Sequence, residues 1–367
     1  MAEAILLVGG KGTRLRPLTV NTPKPMLQVA GVPFLSHQLA RARAAGIDRV
    51  VFATAYRPAV FQEYFGDGAR FGLELDYVTE TEPLDTGGAI RNVADRLRSG
   101  ADEPVMIFNG DILSGVDLAA LFAAHRERDA DVTLHLTTVA RDRLSAFGLV
   151  PTDADGWVTA FREKPQRAED IVTDQINAGC YIFRRSVIDG IPAGRRVSVE
   201  RETFPGLLAA GARVLGVVER SYWRDLGTPQ AFTQGSADLV LGAVDSPAVP
   251  ATSRPDLADA LVLDGARLAA DVKIGGGTTV ASGAVVSSGS SVHGTVVGED
   301  AVIGEDAVIR DSIVGRGARI GAGTVLDGVV VGDGATVGAR NELRSGARVW
   351  CDAVLADGAV RFSADES

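Results

Sequence analysis

The C-terminal part of the chain carries an aliphatic residue at every sixth position, and few folds can hold such a period. The series runs Val262, Leu268, Ile274, Val280, Val286 and Val292. It slips by one residue to Val297, Ile303 and Ile309, again to Val314, Ile320 and Leu326, and once more to Val331, Val337, Leu343, Val349 and Leu355. Many of these residues precede a glycine, as at Ile274, Val297, Ile303, Val314, Ile320, Val331 and Val337, and no proline follows Pro255. A period of six is the hexapeptide signature of a parallel β-helix. Three short strands make one triangular coil, an aliphatic side chain from each points inward, and glycine or another small residue turns each corner. The repeat predicts a β-helix over 262–358 and a tail over 359–367, frayed from Phe362 to Ser367.

The rest of the chain is patterned differently. Ala4–Val8, Arg49–Thr54 and Val105–Phe108 are continuous apolar runs that read as buried strands. Pro33–Ala45 and Gly87–Leu97 have helical spacing. Strands alternating with helices predict an α/β domain with a mostly parallel sheet covered on both faces. This domain is expected over 1–240. Pro247, Pro250 and Pro255, set among Ala, Ser and Thr, mark a linker over 241–261. At 367 residues the chain is long enough for two such domains.

Composition narrows the function. The net charge is −10, which gives no general attraction to nucleic acid or to an anionic membrane. Any bound phosphate must therefore be held locally. No run approaches the ~18 apolar residues of a membrane helix, no signal segment is visible, and Cys180 and Cys351 are too few for a disulfide scaffold. A cytoplasmic protein with reduced thiols is the expectation.

The first strand runs into Gly9-Gly10-Lys11-Gly12-Thr13-Arg14-Leu15. A glycine-rich turn after a first strand lets backbone N–H groups approach phosphate oxygens. The dinucleotide fingerprint would need glycine where Leu15 stands, and the P-loop would need Gly-Lys-Ser/Thr. Arg14 can add a bidentate phosphate contact, and Pro23 and Pro25 hold the backbone around Lys24.

The stretch Leu7–Thr19, with Thr22-Pro23-Lys24-Pro25-Met26, resembles the signature of the sugar-1-phosphate nucleotidyltransferases, and most closely their GDP-mannose pyrophosphorylase branch. The resemblance covers nearly the whole chain, because that branch also ends in a left-handed hexapeptide β-helix. It implies a Rossmann-like nucleotidyltransferase domain followed by that helix. Further segments match in order. Phe108-Asn109-Gly110-Asp111 resembles a metal-binding strand end, and Tyr222–Gly227 resembles the segment that supplies a second metal carboxylate, Asp225. Phe161-Arg162-Glu163-Lys164-Pro165 is similar to the segment that grips the sugar phosphate, and Ile176–Tyr181, with Asn177, to the one that touches sugar hydroxyls. Phe147-Gly148-Leu149 stands where Tyr-Gly-Val is usual.

The resemblance implies in-line attack by a sugar 1-phosphate on the α-phosphorus of a nucleoside triphosphate, with pyrophosphate leaving. Cations must sit between two polyanions. Lys24 would stabilise charge on the α-phosphate. Arg14 and the amides of Gly9, Gly10, Gly12 and Thr13 would hold the β- and γ-phosphates. Lys164 would anchor the attacking phosphate beside Gly148 and Glu163. Asp111 and Asp225 would hold Mg²⁺, and Asp111 thereby meets the nucleotide. No general base is needed, so His37, His125, His135 and His293 need no catalytic role. The base-reading loop is expected at Glu80–Ala89, including Gly87; Asp85 stands where the family has glycine. Thymidylyl and uridylyl relatives commonly place Gln near Glu82. A carboxylate at Glu82 or Glu80 can accept both N1–H and N2–H of guanine and repels the carbonyls flanking N3–H of thymine or uracil. GTP is favoured on that ground, and mannose 1-phosphate on the overall resemblance, with glucose, heptose and carbocyclic phosphates as alternatives. Two further readings are a regulatory paralogue that binds sugar nucleotide without turning it over and a β-helix with acyltransferase activity. The first is opposed by an uninterrupted signature, the second by the single histidine, His293, in the helix. A regular coil with open ends predicts a homo-oligomer.

Overall fold

A computed structural model describes residues 2–10, 12–55, 58–344 and 346–361. The expected frayed tail from Phe362, and Lys11 of the glycine-rich turn, lie outside the described residues. The chain forms two compact units: Met1–Gly10 with Gln38–Trp223, and Lys11–His37 with Arg224–Ser367.

The first unit is built on a nine-stranded sheet. Its strands are β1 (Ala2–Val8), β2 (Ile47–Thr54), β3 (Glu74–Thr79), β4 (Pro104–Asn109), β5 (Val132–Thr138), β6 (Gly148–Leu149), β7 (Arg162–Glu163), β8 (Gln175–Arg184) and β9 (Val214–Val218). The main path is β7-β6-β8-β4-β1-β2-β3, and β5 joins β8 to β9. β1 pairs in parallel with β2 and β4, β2 with β3, and β5 with β9. β8 runs antiparallel to β4 and β5, which makes the sheet mixed. The continuous apolar strands are buried as expected: Ile5, Val51, Ile107 and Leu134 are fully covered. Helices α1 (Phe34–Ala44), α2 (Pro58–Phe65), α3 (Asp85–Asn92) and α4 (Leu118–Glu127) fall between the strands. Asp117 caps α4 by accepting the Ala120 N–H at 2.9 Å. The second helix expected from spacing, Gly87–Leu97, starts two residues earlier and stops at Asn92; Ala94–Arg96 is a separate 3₁₀ turn.

The second unit contains the β-helix and α5 (Pro229–Val240), capped by Thr228 accepting from the Ala231 N–H. Three sheets of parallel strands, with six, six and five members, form the three walls of a left-handed coil. Val280, Ile303, Ile309, Val314, Val331 and Val337 are fully buried along its axis. The slips in the repeat have a structural cause. Val292 to Val297, Ile309 to Val314 and Leu326 to Val331 are the same corner in successive turns, and that corner is one residue short. Side-chain hydroxyls stitch it: Thr278 Oγ1 accepts from Thr295 N–H, Thr295 Oγ1 from Ser312 N–H and Ser312 Oγ from Val329 N–H, each pair 17 residues apart. The corners correct one expectation. Several left-handed corner positions hold Asp300, Asp306, Asp311, Asp352 or Arg340 rather than a small residue; aspartate tolerates this conformation through local hydrogen bonding. Glycine is required where coils meet most closely. A Cβ at Gly315 would lie 2.6 Å from Asp333 N. The linker does not hang free: Ser253 N–H and Oγ–H both donate to Val262 O, at 2.7 and 2.9 Å, and Ala260–Val262 already forms a strand of the first wall.

Candidate active site

In the first unit, Gly9 and Gly10 leave β1 exposed, Gly10 at φ +102°. Asp111 follows β4 through Gly110, whose N–H donates to Leu7 O at 2.8 Å. A Cβ at Gly110 would sit 2.6 Å from that oxygen, so only glycine turns the chain here and delivers Asp111, half-buried, at the carboxyl end of the parallel strands. Beside it, β8 bulges between Asn177 and Tyr181. Asn177 Oδ1 accepts from Gly179 N–H at 3.0 Å, and its amide donates to Tyr181 Oη at 2.8 Å. Gly179, at φ +76°, comes so near Asn109 that a Cβ would meet its Nδ2 at 2.8 Å. Burial holds the Tyr181 hydroxyl well above its usual pKa, so it remains a neutral partner. Trp223 Nε1–H donates to Ala178 O at 2.9 Å, and its ring meets Phe147 edge-on at 5.4 Å. Sequence reasoning missed Asn109, Tyr181 and Trp223 as supports; the Asn-Gly-Asp strand end and the Asn-Ala-Gly-Cys-Tyr run were the available signals.

Glu163 pairs across from Gly148, where a Cβ would crowd Glu163 Oε2 at 2.8 Å. Lys164 Nζ lies 3.2 Å from Glu163 Oε1. Lys164 itself adopts φ +46°, a strained conformation for a non-glycine residue, held by its N–H donating to Phe147 O.

The loop expected to read the base is fastened on both sides. Glu80 Oε2 accepts the Leu84 N–H at 3.1 Å. Burial raises the Glu80 pKa, the Leu84 N–H lowers it and Asp85 raises it further; the outcome is upward. Glu82 is exposed. Thr86 Oγ1 donates to Glu200 and accepts from Val199 N–H. The amide of Gly87 donates to Val197 O at 2.8 Å, so Gly87 serves the packing of the loop instead of offering an N–H to a ligand. Asp85 adopts φ +63°. The position where the resemblance has glycine does need a left-handed residue, and aspartate supplies it.

In the second unit, Gly12 is left-handed at φ +56° and opens the turn Thr13–Leu15. Thr19 Oγ–H closes it on Gly12 O at 2.8 Å. Pro23 and Pro25 set Lys24 in a second 3₁₀ turn, Lys24–Met26. The two predicted cations meet one predicted carboxylate. Lys24 Nζ lies 3.5 Å from Asp225 Oδ1 and Arg14 Nη2 lies 3.8 Å from Oδ2. Lys24 is 11% exposed and Arg14 66%. Gly227 makes the room, since a Cβ there would meet Arg14 Nη2 at 2.5 Å and Asp225 Oδ1 at 2.9 Å. Asp225 thus holds two like charges side by side, an arrangement suited to receiving a polyphosphate. The histidines sit elsewhere. His37 bonds Ser246 and Val29 O, His125 bonds Thr133, and His135 is fully buried. Cys180 and Cys351 are free thiols.

Residues 3–240 match the nucleotidyl transferase family, and residues 257–359 match the GMPPB C-terminal domain. The chain belongs to the nucleotidyl transferase family. It is 54% identical to the mannose-1-phosphate guanylyltransferase of Mycobacterium tuberculosis over 99% of this chain and 98% of the relative. It is 36% identical to a probable mannose-1-phosphate guanylyltransferase of Oryza sativa subsp. japonica, over 64% of this chain and 63% of that one. Among solved structures it resembles HddC from Yersinia pseudotuberculosis at 25% identity and a TM-score of 0.55, over 64% of this chain and 98% of HddC; that protein has also been solved in complex with GMP-PN. No helix among the described residues is long and apolar enough to cross a membrane.

Proposed function

We propose that this nucleotidyltransferase moves GMP from GTP to mannose 1-phosphate and releases pyrophosphate. Near-full-length identity to a mannose-1-phosphate guanylyltransferase carries the substrate pair. The pairing of Lys24 and Arg14 on Asp225 supports the chemistry. On this reading Lys24 neutralises charge on the α-phosphate, while Arg14 and the amides of Gly9, Gly10, Gly12 and Thr13 hold the leaving phosphates. Lys164, preset by its strained backbone, anchors the attacking phosphate, and Asn177 and Glu163 hold sugar hydroxyls. Glu80 is committed to Leu84 N–H, so exposed Glu82 is the carboxylate that reads guanine.

Asp111 in the first unit and Asp225 in the second are each hard oxygen donors, the chemistry that Mg²⁺ accepts. Mg²⁺ takes few protein ligands and is held largely by substrate phosphates and water, so either carboxylate suits it. Bound, it supplies neutralisation of phosphate charge and orientation of the leaving group. The substrates accord with a cytoplasmic location. The exposed Trp350 and Val354 on the last coil support a homo-oligomer.

The test is to incubate purified protein with GTP, mannose 1-phosphate and Mg²⁺ and to follow products by mass. One GDP-mannose per pyrophosphate is expected. A folded protein that makes no sugar nucleotide contradicts the proposal.

A further inference from the structure

We infer that the β-helix positions the catalytic cations, with Arg348 and Glu299 as the positioning residues. The inference rests on the nucleotidyltransferase reading and adds a role for the β-helix within it.

The segment that carries Arg14 and Lys24 is tied to the coil shortly after each of those residues. Arg348, on a strand of the first wall, donates from Nη1 to Arg16 O at 2.7 Å, two residues beyond Arg14. Cys351 Sγ lies 3.6 Å from Pro17 O, next in the chain. At the other end, Gln28 Nε2–H donates to Glu299 Oε1 at 2.9 Å, four residues beyond Lys24. Glu299 and Arg348 lie on different turns of the coil, so the segment spans several turns and is tied to two of them.

Between these ties, Leu18, Met26 and Leu27 of the segment and Val296, Ile313 and Val314 of the coil are buried, and they line a half-open pocket of about 140 Å³. Apolar burial holds the segment to the coil but has no direction, so the two charge-assisted hydrogen bonds set the segment's register. Through the two short 3₁₀ turns, that register fixes where Lys24 and Arg14 stand relative to Asp225. Near-attack geometry is lost with displacements of about 1 Å, and such a loss costs up to about 10²-fold in rate.

The experiment compares Arg348→Ala, Glu299→Ala and their double variant with wild type. Pyrophosphate release gives kcat and both KM values, urea gives the unfolding midpoint, and hydrogen exchange follows the amides of residues 12–28. Arg319→Ala, an exposed position on the same helix, is the control. The expected result is a fall in kcat of about tenfold for each single variant and more for the double. KM for mannose 1-phosphate should stay within about twofold and the midpoint unchanged, with faster exchange confined to 12–28. Arg348→Lys, which keeps one donor, should recover part of kcat. A double variant with wild-type kcat and unchanged exchange overturns the inference. A fall in kcat matched by a lower unfolding midpoint and by faster exchange throughout the coil also overturns it, because that is loss of fold. A wild type without turnover refutes the reaction reading alone; the exchange data then still decide whether Arg348 and Glu299 hold the segment.

Discussion

Replacing Lys24 with methionine removes one charge and little volume, and the structure sets what that should cost. Lys24 Nζ lies 3.5 Å from Asp225 Oδ1 and is 11% exposed. At that separation two unit charges interact by about 5 kcal/mol at an effective dielectric of about 20. A phosphate oxygen at the same reach gains a similar attraction, and part of it is already present when GTP binds. The share that grows with charge on the transferred phosphate is about 3–4 kcal/mol by comparison with single donors lost from other preorganised anion sites. At about 1.4 kcal/mol per decade, kcat should fall by about 10²–10³-fold. KM for mannose 1-phosphate should change little, since Lys164 is the residue assigned to that substrate. Stability should change by no more than about 1 kcal/mol, because Asp225 is partly exposed and keeps Arg14 at 3.8 Å. The assay is pyrophosphate release under saturating GTP and Mg²⁺, with urea unfolding alongside. A Lys24→Met protein within fivefold of wild-type kcat would refute the assignment of Lys24 to the transferred phosphate.

Four shorter tests follow from other parts of the molecule. Burial lowers His125 and His135 to about 4, with Arg184 and Arg126 adding to the effect on His125 and Arg41 to that on His135. Both stay neutral in the fold where unfolded histidine takes a proton, so stability should be full above pH ~6.5 and fall as pH drops towards 4, by up to about 3 kcal/mol each; urea titrations flat across that window would refute this. Glu82→Gln should erode GTP preference against UTP by about tenfold or more, whereas Glu80→Gln should chiefly loosen the loop; equal GTP preference in wild type and Glu82→Gln, read from kcat/KM ratios, would remove the guanine argument. Thr295→Val deletes the acceptor for Ser312 N–H inside the β-helix and should cost about 1–3 kcal/mol in unfolding free energy. Asp85→Gly should leave stability nearly unchanged while Asp85→Val, β-branched at φ +63°, should lower the unfolding midpoint; equal midpoints would contradict the left-handed assignment.

The β-helix was legible in the sequence because its period is enforced at every turn by one buried aliphatic per wall. Even the slips at Val297, Val314 and Val331 were visible, and they mark the short corner stitched by Thr278, Thr295 and Ser312. What periodicity could not show was which residues turn the corners, since aspartate and arginine replace glycine wherever a left-handed backbone can be satisfied locally. Arg14, Lys24 and Asp225 were legible by type, and the structure brings them together. Helix ends were less so: two glycines at 87 and 88 pack against residues 195–197, and α3 stops at Asn92. The ties from Gln28 to Glu299 and from Arg348 to Arg16 were not legible at all, because their partners stand 271 and 332 residues apart and carry no local pattern.

The most direct measurement of the central claim is a grid of initial rates of pyrophosphate release with Mg²⁺. GTP, dTTP, UTP, ATP and CTP are each paired with mannose 1-phosphate and glucose 1-phosphate. The account predicts that GTP with mannose 1-phosphate exceeds every other pair in kcat/KM by at least about tenfold. A higher kcat/KM for another nucleotide, or for glucose 1-phosphate with GTP, would contradict it.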